Sequence, residues 1–181
     1  VSNLKLLNLD RHIQSSLDAI DLLYLHRHFQ EAKYCAFILI DQMAWLVSEH
    51  ENEVNKYFKL WLGRYFVQYY PEISVDEIWA SRNAHLHRAS SISKSMENSN
   101  NTDKQLWFID DMETQEQIDH LDYDPKEMIF HIVNTKRFID FSLKKAIKLF
   151  KEDIENGKYI HTDTFNFRLG RILQPISIDQ F

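Results

Sequence analysis

Arg82, Asn83, His85, His87 and Arg88 stand close together in the run Ser74-Val-Asp-Glu-Ile-Trp-Ala-Ser-Arg-Asn-Ala-His-Leu-His-Arg-Ala89. An imidazole exchanges protons near neutral pH, and a guanidinium holds an anion through a planar fork of donors. A set of this kind suits acid–base chemistry beside an anionic group. The run reads as a helix. Ser74 followed three residues later by Glu77 is a capping box, in which each side chain satisfies a backbone donor left open at a helix start. Val75, Ile78, Trp79 and Leu86 then fall on one apolar face, with Arg82 in its middle. An always-charged guanidinium there requires a carboxylate partner, an anion or a water-filled cleft. At about 100° per residue, Asn83 and His87 lie one turn apart on the flank of that face.

The elements that position this helix follow from composition. The chain has 181 residues, 44% of them hydrophobic and 13% aromatic, with only three Gly and three Pro. That length suits one domain with a real core. The scarcity of turn residues disfavours an all-β fold and favours long helices. The formal net charge of −6 argues against coating nucleic acid by bulk electrostatics, although a local basic cleft remains compatible with it. Cys35, the only cysteine, lies in an apolar run, so an intramolecular disulfide and a multi-cysteine zinc site are excluded. No stretch reaches the roughly 18 apolar residues of a membrane span, and a cytoplasmic location is the expectation.

A first helix is expected over about 9–28, capped at Asn8 or Asp10, with His26 and His28 near its carbonyl end. The segment 30–48 is apolar on most sides and reads as the central helix. Asp41 within it is either a partner for Arg82 or an exposed position. An aromatic-rich third helix, Val54 to Tyr70, ends before Pro71, and its rings read as core rather than a base-stacking platform. Residues 90–103 read as a long Ser/Asn-rich exposed loop and 105–109 as a short edge strand, with 111–123 compatible with a helix. Asp124-Pro-Lys-Glu127 opens the longest expected helix, which Gly157 ends. The tail 158–181 is expected to be extended or irregular, packing on the bundle or on a partner. The expected architecture is all-α: a four- to five-helix up-and-down bundle over 1–157, with a possible short strand, followed by the tail 158–181.

Gly63, Gly157 and Gly170 are too scattered for a phosphate-cradling loop. Glu127 and His131 lack the spacing of a di-iron bundle, and His85 and His87 point apart on a helix, so no metal or cofactor is expected. What remains, Arg82-Asn83-Ala-His-Leu-His87, resembles the Rx4–6H motif of HEPN domains, the helical "higher eukaryotes and prokaryotes nucleotide-binding" family. The apolar helix with Asp41, the aromatic helix before Pro71 and the motif helix resemble that family's arrangement over roughly residues 9–155. The resemblance implies a HEPN-like bundle and metal-independent endoribonuclease activity on single-stranded RNA. It further implies a homodimer whose site forms where two motifs meet. His87 would act as general base on a ribose 2′-hydroxyl, Arg82 would neutralise charge on the attacked phosphate, and Asn83 would orient the phosphate or the imidazole. His85 and Arg88 would bind substrate, and the product would be a 2′,3′-cyclic phosphate. An antitoxin or defence partner would fit the family. Ala89 occupies the position where some family toxins carry a modifiable Tyr. Family members also serve as non-catalytic RNA-binding or interaction modules. A purely structural role, with Arg82 paired to a carboxylate, is the third alternative.

Overall fold

The computed structural model describes residues 3–48, 53–88, 105–110, 130–159 and 162–173. Helices account for 79% of the described residues, accompanied by one two-stranded parallel sheet. Helix α1, Asn3–Leu25, buries Leu9, Ile13, Leu17 and Ile20 at helical spacing. It begins before the expected caps, and Asn8 and Asp10 lie inside it. The leucines at 4, 6 and 7 are good helix formers, and Leu6 already packs against the core. The helix ends at Arg27, whose φ of 64° is left-handed. The amide of Arg27 donates to Tyr24 O (3.0 Å) and that of His28 to Leu23 O (2.8 Å), which closes the last turn as a Schellman motif.

Helix α2, Phe29–Leu46, is the central one: Ala36, Phe37, Ile40, Met43 and Leu46 are fully buried. Helix α3, Val54–Trp61, widens into a π-helical segment at Leu62–Phe66 and tightens at Val67–Tyr69, two residues before Pro71. Its aromatic side chains Phe58, Trp61, Tyr65 and Phe66 are core residues. Helix α4, Val75–Arg88, carries the motif. Strand β1, Gln105–Ile109, pairs in parallel with β2, Phe130–Asn134, with Gln105 opposite Phe130.

That second strand corrects the expectation of one long helix from Asp124. Phe130-His-Ile-Val133 carries the aromatic and β-branched types that fit a pleated surface, and β1 supplies the partner ladder. The chain turns helical only after Asn134, whose side-chain oxygen accepts the amide of Arg137 (2.8 Å). A second π-helical segment, Arg137–Leu143, leads into α5, Lys144–Glu155. The two wide segments meet where the Phe66 and Phe138 rings pack at a tilt of 49°, 4.8 Å between centroids. Phe37 and Phe108 join the same cluster, which ties the sheet to α2. Gly157, at φ 84°, ends α5 as expected. Lys158 N donates to Asp153 O (3.0 Å) in a second Schellman turn.

The tail departs from an irregular course. Thr162 caps helix α6, Asp163–Ile172, by accepting the amide of Phe165 (3.1 Å). Phe165, Arg168 and Leu169 are buried as α6 packs on α1 and α2. Arg168 donates to the Trp45 carbonyl (2.8 Å) and to both oxygens of Ser48, so a guanidinium closes the C-terminal end of α2. No described helix is long and apolar enough to cross a membrane. The expected loop 90–103, the helix-compatible stretch 111–123 and the cap Asp124–Glu127 lie outside the described residues.

Candidate functional site

Helix α4 starts as its sequence dictates. Ser74 N donates to Glu77 Oε2 (2.7 Å) and Glu77 N to Ser74 Oγ (3.1 Å), closing the capping box. Glu77 is 5% exposed, and its second oxygen lies 3.1 Å from His131 Nδ1 on β2. The cap therefore also couples α4 to the sheet.

The face that α4 turns inward is rotated from the expected stripe. Ile78, Ser81, Ala84 and His85 are buried, whereas Val75, Trp79, Arg82 and Leu86 are partly exposed along the flank. A charge does not sit at the centre of a core face when a small rotation brings it to the edge, and Ser81 and Ala84 let the helix pack closely instead.

Arg82 on that flank is held from two directions. Its Nε donates to Asp41 Oδ2 (2.9 Å) and its Nη2 makes a shorter contact to the same oxygen. Its Nη1 donates to Asn83 Oδ1 (2.9 Å). The guanidinium also lies over the Trp79 ring, 5.2 Å from its centroid, and Trp79 packs in turn on Phe58. The side chains of Arg82 and Asp41 are 13% and 21% exposed. Asp41 of α2 is thus the partner that the sequence offered as one of two alternatives.

The motif residues divide as follows. Arg82 and Asn83 are brought into direct contact. His85 is 5% exposed and turned to the core, edge-on to Tyr34 and Phe37 (6.1 and 5.7 Å between centroids) and tilted against Phe108 (5.5 Å). His87 and Arg88 complete the helix, and their side chains lie outside the described residues.

Two features escape sequence reasoning. His12 Nε2 on α1 lies 3.0 Å from Gln42 Oε1, which ties α1 to α2 one residue after Asp41. Thirty positions separate His12 from Gln42, and no local pattern links them. Behind the strands, Lys33, 5% exposed, donates to both oxygens of Asp110 (3.1 and 3.3 Å), and the Thr135 hydroxyl donates to the same carboxylate (2.6 Å). Asp110 and Thr135 directly follow β1 and β2, so the cluster locks the ends of the two strands to α2. A lysine at the head of the apolar run 32–40 was the available signal.

Chemically, the Asp41–Arg82–Asn83 group is a preoriented guanidinium whose charge is balanced by its own carboxylate. It offers fixed donor geometry rather than a strong positive potential, and an anion approaching it competes with Asp41. Among the described residues there is no group of three or more His, Cys, Asp or Glu placed to hold a metal ion. Compared with protein-family models, with curated proteins and with solved structures, the chain finds no match.

Proposed function

We propose that this chain is a HEPN-like, metal-independent endoribonuclease acting on single-stranded RNA by attack of a ribose 2′-hydroxyl. The observation that carries the reading is the clamp of Asp41 on Arg82. It fixes a guanidinium beside Asn83, one turn before His87, at the edge of a helical core. In this reading His87 accepts the 2′-hydroxyl proton as the 2′-oxygen bonds to phosphorus; the P–O5′ bond breaks to leave a 2′,3′-cyclic phosphate, and the departing 5′-oxygen takes a proton from water. Arg82 stabilises charge on the phosphate, and Asn83 holds the guanidinium in register. Arg88 contributes to substrate binding, and two copies of the chain present their motifs to one RNA. His85, packed among rings, positions α4. The protein would work in the cytoplasm, held in check by an antitoxin or a defence partner.

The test is cleavage of single-stranded RNA by the purified protein in the presence of chelator. Arg82→Ala and His87→Ala are expected to lower the rate by about 100-fold or more. His87→Ala should leave the folded fraction unchanged. Cleavage that survives His87→Ala defeats the mechanism.

A second reading, a non-catalytic HEPN-like RNA-binding or protein-interaction module, draws support from the same clamp, because Asp41 cancels much of the charge that Arg82 would offer a phosphate. That reading expects RNA or partner binding with no cleavage, weakened by Arg88→Ala.

A further inference from the structure

Helix α1 leaves four leucines in solvent: Leu4 is 65% exposed, Leu7 46%, Leu22 58% and Leu25 75%. Scattered singly they would need no account, but they occupy the two ends of one stripe. Between them Arg11, Gln14, Ser15 and Asp18 are also exposed. At about 100° per residue these eight positions fall within about 100° of arc along the whole helix.

The order of chemistry along that stripe is the same read from either end, apart from the sign of the charge. Leu4 and Leu7 come first, then a charge at Arg11, two small polar groups at Gln14 and Ser15, the opposite charge at Asp18, and Leu22 and Leu25 last. A two-fold axis between Gln14 and Ser15 would set Leu4 against the second copy's Leu25, and Leu7 against its Leu22. It would set Arg11 against the second copy's Asp18, twice over. This is the self-complementarity an isologous interface requires, each residue meeting the one that meets it in return. Among the described residues Asp18 accepts only from Gln14 (2.8 Å), and Arg11 makes no ion pair.

We propose that α1 is a docking surface for a second copy of this chain, the two helices running antiparallel with leucine pairs at both ends and two Arg11–Asp18 pairs near the middle. Opposite charges in the centre of the stripe disfavour a lipid surface as its occupant, since both would be buried without partners there. An unrelated protein partner would have no need of the reversal symmetry. The inference concerns α1 alone and does not rest on the ribonuclease reading, because association and RNA cleavage are measured separately.

Sedimentation of the full chain at micromolar concentration tests it. The wild type is expected to run at twice the 21.7 kDa of one chain. Arg11→Asp places like charges opposite each other at both positions, and so does Asp18→Arg. Each is expected to weaken association by about tenfold or more. Mixing the two variants in equal amounts makes every pair complementary again and should restore a mixed dimer, an outcome that a general loss of structure cannot imitate. In a Cys35→Ser background, Gln14→Cys chains should cross-link to one another on oxidation. Leu4→Cys chains should not, their sites standing about 31 Å apart at 1.5 Å per residue. A monomeric wild type, a dimer indifferent to both charge reversals, single variants that do not recombine, or cross-linking through position 4 would each overturn the proposal.

Discussion

Replacing the Asp41 carboxylate by an amide of the same shape keeps one acceptor oxygen but removes the negative charge that two nitrogens of the Arg82 guanidinium, 13% exposed, now face. Breaking a mostly buried pair from one side costs more than the pair contributes, because the stranded charge stays out of water. Asp41→Asn is therefore expected to lower unfolding free energy by about 1–3 kcal/mol in urea titration. Asp140 presents a different residue-scale case. Burial alone would raise its pKa, but hydrogen bonds from Lys136 and Lys144 outweigh that and hold it below its ordinary 3.8. A depressed carboxylate contributes stability above its unfolded value and loses it as the pH falls through the folded one. Lys144 is the mirror image: despite burial, Asp140 and Asp21 raise it above 10.5, so its contribution is full below that value and fades in strong alkali. Thermal melts should show Asp140→Asn less stable than wild type at pH 7, with the gap closing in acid below the carboxylate's titration. A gap that is the same at pH 7 and pH 2 would remove these lysines from the account.

At the scale of single elements, the end of α1 makes the sharpest prediction. Arg27 holds φ at 64°, where a Cβ crowds the following carbonyl and glycine does not. Arg27→Gly is expected to stabilise the protein by about 0.5–1 kcal/mol in chemical denaturation. This site also shows where reading a sequence stops. Gly157 announced the end of α5, whereas nothing in Leu-His-Arg-His28 announced a left-handed residue. Ser74 and Glu77 were legible because their partnership spans one helical turn. Asp41 and Arg82 were legible as alternatives because a charge within apolar surroundings demands an answer. β2 was not, since Ile132 and Val133 continue an apolar pattern that serves a helix equally well. What decides for a strand there is β1, more than twenty positions upstream. α6 did carry its signal, Thr162 ahead of Asp163, within a tail expected to be extended or irregular.

Over the whole molecule, the expected mainly helical body is present, and the parallel strand pair set into its middle is the departure from a plain bundle. The orientation of α4 belongs to this scale too. His85 faces inward because Tyr34, Phe37 and Phe108 arrive from two other elements, and no window around the motif contains them. Arg168 reaches back 120 positions to Ser48, and the shell around it closes with Phe165 and Leu169. A ribosome delivers α2 early and α6 near the end of the described chain. While synthesis runs between them, the apolar seat of Phe165 and the carbonyls that Arg168 will cover stand open to water. Nascent chains stalled before Asp163 should thus be cut readily by a protease that spares the finished protein, and maturation becomes a matter of timing as much as of contacts.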